Sequence, residues 1–521
     1  MCNLCDEGRP QDHARGSQLG RRDFLKASAA GAAGAAGLGL FSAPARAAHD
    51  EEHPPQDAGR PGRRYVIRGG HVMSMDPAVG DFVQGDVLVE GKRIVAVGPK
   101  LRAAGAGEID ARGKIVMPGF IDTHHHQFET ATRSVLADSL LFDGLDENIT
   151  FNYFQKELLG FAPVYRPEDV YISELFGGLA QLDDGVTTVH DVSQIHHSPQ
   201  HSDAAIQALF DTGRRAAFGF FESAGAAFIG TNPGNQYPQD ASRIKEQWFS
   251  SDDQLVTMIM GGEIYLPGYE TAWQIGRALG IPIAAHIVGT FGMRGEFDLI
   301  AGGKAGGFGS DNLFIHVTGM SDFAWQKMKD AGVGVSLAVP IEMNMRHGTP
   351  PVLKAMDLGF RPSLSTDVEV VLTADFFTQM RAAMTLQRLF INARGLGEDY
   401  AAGFPALPLL TTRDVLRWAT INGARDLRLD HKVGTLTPGK EADIIILEPG
   451  INAAPLNHVP GAVVSLMERG NVETVIVAGK VRKWKGRLLE VNLAKLRREL
   501  ESSRDFLFQA AGIGQDLFRA S

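Results

Sequence analysis

The sequence predicts an α/β fold: a (β/α)8 (TIM) barrel with a small β-sandwich domain formed by N- and C-terminal segments. Two observations carry the barrel. Apolar runs alternate with amphipathic helical stretches through the middle of the chain, which implies a parallel sheet; the runs are residues 116–123, 185–192, 214–221, 255–261, 281–287, 312–318, 332–339 and 360–366. Eight repeats over roughly 250 residues match a closed barrel better than an open doubly wound sheet. The third observation carries the small domain. Val- and Ile-rich runs split by Gly-containing turns begin at Arg64 and return at 433–448 and 472–486, a hairpin texture at both ends of the chain.

Taken in order, the first element lies outside the fold. Arg21-Arg22-Asp23-Phe24-Leu25-Lys26 precedes a Gly- and Ala-rich apolar run to about Phe41 and an Ala45-Arg46-Ala47 cleavage site, which is the order of a signal peptide. The run is too short for a membrane span, which needs ~20 residues. The paired arginines resemble the bacterial twin-arginine signal, a route that carries folded proteins. Residues 1–47 are therefore expected to direct export to the periplasm or the cell exterior, with no membrane association once removed. Cys2 and Cys5 are the chain's two cysteines. They lie upstream of the cut and have no second pair with which to complete a metal site. Residues 48–63 read as a flexible linker, 64–115 as the first part of the β domain, 116–432 as the barrel, 433–490 as the second part of the β domain, and 491–521 as a helical tail. Lys and Arg number 51 against 61 Asp and Glu, a net charge of −10, which speaks against a nucleic-acid partner. A small-molecule substrate is the expected partner, and association into a homo-oligomer is compatible with the composition.

In such barrels the chemistry collects at the C-terminal ends of the strands. The polar residues ending the runs are His124 and His126, His190 and Asp191, Glu222, Glu263, His286, His316, Glu342 and Asp367. One histidine in an apolar strand is ordinarily a satisfied core residue, but this many at successive strand ends make a site. Strand alternation puts His124 and His126 on one side of "THHHQ" and His125 on the other. Imidazoles from the first, fifth and sixth runs and a carboxylate from the eighth supply the N and O donors of a divalent metal ion, zinc first, with iron or manganese as alternatives.

These segments resemble the amidohydrolase superfamily of metal-dependent hydrolases, nearest its branch of triazine hydrolases and cytosine-deaminase-like enzymes, over about residues 64–486. The match is carried by "PGFIDTHHHQ", "GVTTVHDV", "AAHIV", "FIHVTGM", "VPIEMNMRHGTPPV", "SLSTD" and "ATINGARDL" followed by "VGTLTPGKEADIIIL". The resemblance implies that His124, His126, His286 and Asp367 ligate a catalytic metal, that His316 steadies developing negative charge, and that Asp367 takes the water's proton and passes it to the leaving group. The pattern breaks at Gly289. In the deaminases and chlorohydrolases of that branch a glutamate stands there, three residues after the fifth-strand histidine, and donates a proton to the substrate ring. The expected reaction is therefore hydrolysis of a C–N bond in a non-peptide amide, cyclic or linear. The alternative is an aminohydrolase or dehalogenating hydrolase of a nitrogen heterocycle, with a metal-free scaffold or a lyase behind both. Glu263 and Glu222 are candidates for a second metal or for proton transfer, weighed equally with structural roles. Gln127, His190, Asn344 and His347 are candidates for substrate contact. His196, His197 and His201 read as an exposed loop, and the aromatics of residues 140–161 as a lid or as helix core.

Overall fold

The computed structural model describes residues 53–142, 152–223, 237–396 and 408–518. The expected leader, with Cys2 and Cys5, lies outside the described residues, as do residues 143–151 of the aromatic stretch. Two sheets organise the chain from Arg64 onwards. The first starts with β1 (Arg64–Met73), β2 (Asp81–Glu90), β3 (Arg93–Gly98), β4 (Gly107–Asp110) and β5 (Ile115–Pro118). The second holds β6 (Phe120–His125), β7 (Val186–Ser193), β8 (Arg215–Phe220), β9 (Val256–Gly261), β10 (Ile283–Ile287), β11 (Asn312–His316), β12 (Gly334–Leu337) and β13 (Ser363–Leu364). The chain then returns to the first sheet as β14 (Ile444–Leu447), β15 (Val472–Val477), β16 (Lys480–Trp484) and β17 (Arg487–Leu488).

The first sheet joins both ends of the chain through β14, which runs antiparallel to β5 with Ile444 opposite Pro118 and Leu447 opposite Ile115. Alternate residues of its strands, among them Tyr65, Ile67, Val87, Val89, Ile444 and Ile446, bury in a core of their own, as period-two alternation requires. The run expected as the first barrel strand is in fact shared between the two sheets. Residues 116–118 belong to β5, and the barrel strand starts at Phe120. Gly119 makes the crossing, since a Cβ there would lie 2.2 Å from Thr187 Cγ2, so only glycine lets the chain pass so close to β7.

In the second sheet β6 to β13 lie side by side in chain order, with parallel registers such as Ala284 opposite Leu313 and Phe314 opposite Val335. The last strand is short, and the seam is closed by backbone bonds just beyond it. The Asp367 N–H donates to the His124 carbonyl at 3.0 Å and the His126 N–H to the Asp367 carbonyl at 2.9 Å. The bonds that close the barrel are thus made by the residues expected to do chemistry. Inside, Ile121, Val192, Ala217, Phe221, Ile259 and Ile315 pack with Ala424, Leu427, Leu429 and Val433.

The tail helix Leu493–Ala510 is more than surface. It packs on the helix Pro167–Asp183, where the Ser503 hydroxyl donates to Asp169 Oδ1 at 2.7 Å, and the Phe508 and Phe161 rings meet at 4.9 Å. Among the described residues no helix is long and apolar enough to cross a membrane.

Candidate active site

The register of β6 against β7 slips between Asp122 and His125, and beyond that slip His124 and His126 face the same point. Their Nε2 atoms are 3.0 Å apart; His286, at the end of β10, brings its own Nε2 to 2.9 Å from His124 and 3.2 Å from His126. Asp367 Oδ1 stands 3.6 and 3.7 Å from the first two rings, and its Oδ2 is 3.4 Å from His316 Nε2. His125 turns away, its Nδ1 3.0 Å from Thr366 Oγ1.

This triangle of ring nitrogens calls for a cation. Burial, with the neighbouring imidazoles, pulls His124 and His126 well below the usual imidazole range, so both rings are neutral. Among the described residues the Nδ1 atom of His124 is buried without a hydrogen-bond partner. For His286, burial acts downward, but the carboxylates of Glu263, Asp367 and Glu222 together outweigh it and the net shift is upward. Glu263 Oε1 accepts from His286 Nδ1 at 2.5 Å and its Oε2 from the His286 backbone N–H at 3.2 Å, which fixes the proton on Nδ1 and leaves a lone pair on Nε2. Tetrahedral zinc with Zn–N bonds of ~2.0–2.1 Å holds its nitrogens about 3.4 Å apart, a few tenths of an ångström wider than this triangle. The donor set fits a divalent ion, and the same atoms form overlapping groups of His124, His126 and His286 and of His124, His316 and Asp367. Burial lifts Asp367 to about 7; a cation at this point is the counter-charge that ionises it.

His316 is held as His286 is, with Nδ1 3.1 Å from Glu342 Oε1. Glu342 Oε1 also accepts from the Ala338 N–H at 2.9 Å. The backbone at His316 and Asp367 has φ of +69° and +64°. Such left-handed non-glycine residues cost about 1–3 kcal/mol each and cluster at functional sites.

Several expectations need correction. Both oxygens of Glu263 hold His286. Glu222 stands behind it, accepting from the Glu263 N–H at 3.2 Å, and burial beside Glu263 lifts its carboxyl to about 8. Among the described residues neither acid joins a group that could hold an ion. Gln127 starts a short helix that turns it outward, where its amide donates to the Glu174 carbonyl at 2.5 Å and accepts from Arg214. His190 is buried in the barrel with Nδ1 2.9 Å from the Thr123 carbonyl, and Asn344 is exposed; none of these three borders the pocket. His196, His197 and His201 are buried or half-buried rather than exposed, with ring nitrogens against the carbonyls of Ser193, Ala162 and Tyr165. Of the four substrate-contact candidates, His347 alone lines the pocket.

That pocket adjoins His126, His286, His316 and Asp367, and its remaining lining is mostly apolar: Leu141, Leu158, Val288, Phe291, Met345 and Val368, with Tyr153, Gln194 and Tyr265. The Tyr265 and Phe291 rings stack 5.3 Å apart. Tyr153 donates to buried Glu129 at 2.5 Å. Leu141, Tyr153 and Leu158 come from the aromatic stretch read as lid or core. Gln194 escapes the sequence pattern because the second apolar run stops at residue 192. β7 ends at Ser193, and the strand-end rule then points at its successor.

A family model described as the amidohydrolase family matches residues 115–482. Curated relatives include a 5'-deoxyadenosine deaminase of Methanosarcina mazei, 27% identical over 457 residues that cover 85% of this chain and 98% of that one. Another is a 5-methylthioadenosine/S-adenosylhomocysteine deaminase of Pelotomaculum thermopropionicum, 26% identical over 84% of this chain and 97% of that one. Similar solved structures include a zinc-bound adenosine deaminase of Xanthomonas campestris, with TM-score 0.70 and 21% identity over 88% of this chain and 100% of that one. A zinc-bound atrazine chlorohydrolase of Arthrobacter aurescens has TM-score 0.70 and 20% identity, over 84% and 100%. At such identity the two structures speak to the fold alone, which is the barrel with its appended sheet. The family model spans more than half the chain and includes every barrel strand, and the chain belongs to the amidohydrolase family.

Proposed function

We propose that the protein hydrolyses a carbon–nitrogen bond, other than a peptide bond, in a small molecule, with the ion held by His124, His126, His286 and Asp367. The observation that carries this reading is the meeting of three imidazole nitrogens within 3.2 Å of one another beside a buried carboxylate at the mouth of the barrel. A divalent ion bound there lowers the pKa of water from ~15.7 towards ~7. The protein's own groups do the rest. Asp367 takes the nucleophile's proton and returns it to the leaving nitrogen. His316, oriented by Glu342, faces the place where negative charge develops. The apolar pocket walls exclude water.

Gly289 favours an amide over a ring amidine as the substrate. A Cβ at this position would lie 2.9 Å from the Thr318 carbonyl oxygen and 3.3 Å from Gly319 Cα, so the proton-donating glutamate of the deaminase branch has no room. The deaminase names of the curated relatives favour the second reading, release of ammonia from a nitrogen heterocycle. Assays of the metal-loaded protein separate the two. Amine or carboxylate released from cyclic and aryl amides, without ammonia from 5'-deoxyadenosine, supports the first; ammonia from 5'-deoxyadenosine supports the second; no turnover of either class sinks both.

The ion is zinc in this reading, on the strength of a donor set of three imidazoles and one carboxylate. Residues 1–47 are a twin-arginine leader that exports the folded, metal-loaded protein to the periplasm or beyond. Replacing Arg21 and Arg22 together by Lys is expected to leave the protein in the cytoplasmic fraction, and unchanged export of that variant would refute the leader.

A further inference from the structure

The pocket beside the ligands holds two polar side chains that the described residues leave unsatisfied. His347 is 3% exposed, and among the described residues neither of its ring nitrogens has a hydrogen-bond partner; Gln194 is 4% exposed, and its Oε1 has none there either. Both border the pocket. Buried polar atoms are normally paired, and those left open at a cavity wall are paired by what enters it. Gln194 follows directly on β7. His347 lies beyond the helix Val339–Asn344, with its N–H donating to the Glu342 carbonyl at 3.2 Å and its carbonyl accepting from Thr318 Oγ1 at 2.5 Å. Thr318 Oγ1 also accepts from the Gly289 N–H at 3.1 Å, so the strand-seven loop is tied across the position where the side chain is missing. The His347 ring stands edge-on to His316, with centroids 4.6 Å apart.

The pocket is also poor in compensating charge. Among the described residues no Lys or Arg lines it. An anionic substituent moved into this apolar space would lose its hydration without gaining a cationic partner from the protein. The stacked Tyr265 and Phe291 rings present a flat surface instead.

We infer that Gln194 and His347 are the recognition pair for an uncharged, planar substrate. It presents an N–H to Gln194 Oε1 and a second polar atom to His347, which in neutral form offers one donor and one acceptor, while its flat face lies against Tyr265 and Phe291. This rests on the hydrolase reading of the same site and names its substrate class.

The test uses the zinc-loaded full chain and matched probes in which one member adds an anionic group: acetanilide with 4-acetamidobenzoate, and adenosine with adenosine 5'-monophosphate. The neutral member of the pair that is turned over is expected to lead by at least 100-fold in kcat/KM. Gln194→Leu and His347→Phe are each expected to raise its KM tenfold or more, with kcat changed less and zinc content intact; retained zinc reports that the fold survives. Preference for the charged member, or a KM within twofold of the parent in both variants, overturns the inference. If the zinc-loaded protein turns over no probe, the hydrolase reading fails, and calorimetry of the same probes decides the recognition pair. Neutral-selective binding weakened tenfold by either substitution upholds it, and absent, charge-indifferent or variant-indifferent binding overturns it.

Discussion

Glu263 and Glu342 each take the far nitrogen of an imidazole whose near nitrogen faces the site, and so turn two flexible rings into fixed ligands or donors. Removing such a partner typically costs 10–100-fold in metal affinity. Glu263→Gln is accordingly expected to weaken the metal by about that factor in chelator competition, with the fold intact. His126→Ala, which removes a corner of the triangle, is expected to abolish both metal and activity; full metal content by elemental analysis would refute the assignment. The contrast explains what was legible. His124, His126, His286, His316 and Asp367 announce themselves because a strand-end histidine or aspartate needs only its own strand to place it. The partners of Glu263 and Glu342 depend on how neighbouring strands are aligned, which no local pattern encodes. Gln127 and Asn344 misled for the opposite reason: each sits beside a site residue in the chain, but on a helical turn that carries its side chain elsewhere.

At the level of elements, the eight apolar runs were readable because parallel strands buried on both faces are continuous apolar stretches. Their ends were not, since the change from one sheet to the other at Gly119 lies within a single run. Close packing decides similar details in the helix Pro167–Asp183. A Cβ on Gly178 would come within 2.4 Å of Thr212 Cγ2 and 3.2 Å of the Gln127 amide nitrogen. Two effects oppose each other in Gly178→Ala. Helix propensity favours alanine by ~1 kcal/mol, whereas overpacking a filled interface costs about 1–3 kcal/mol. Packing wins, and Gly178→Ala is expected to lower the thermal midpoint. Adding Thr212→Ser, which removes the offending methyl and keeps the hydroxyl bond to the Leu209 carbonyl, should restore it. Failure of that rescue would place the cost elsewhere.

For the molecule as a whole, the two sheets are joined by a buried charge cluster and burdened by a buried acid, and the two respond oppositely to pH. Arg215, on β8, donates to Glu441 at 2.7 Å and to Asp443 at 3.1 and 3.2 Å. Burial would raise Glu441, but Arg215 and Lys92 prevail and hold it below its usual range. A depressed carboxyl stabilises the fold above its unfolded pKa, and that contribution is lost as acid protonates the folded state. Asp184, where the helix Pro167–Asp183 ends, has the opposite sign. Burial lifts it to about 7 from 3.8, so the folded state binds the proton more tightly than the unfolded one. Its contribution to stability falls as pH rises from about 4 to 7 and stays unfavourable above. Asp184→Asn, which keeps the shape and removes the charge, is therefore expected to stabilise the protein at pH 8 by about 2 kcal/mol, roughly half of what a shift of this size could yield. The gain should shrink steadily between pH 7 and pH 4, as chemical denaturation of both proteins at each pH would read. A gain that is constant across that range would mean that the substitution acts through packing at the helix end and that burial of the charge is not what destabilises the parent.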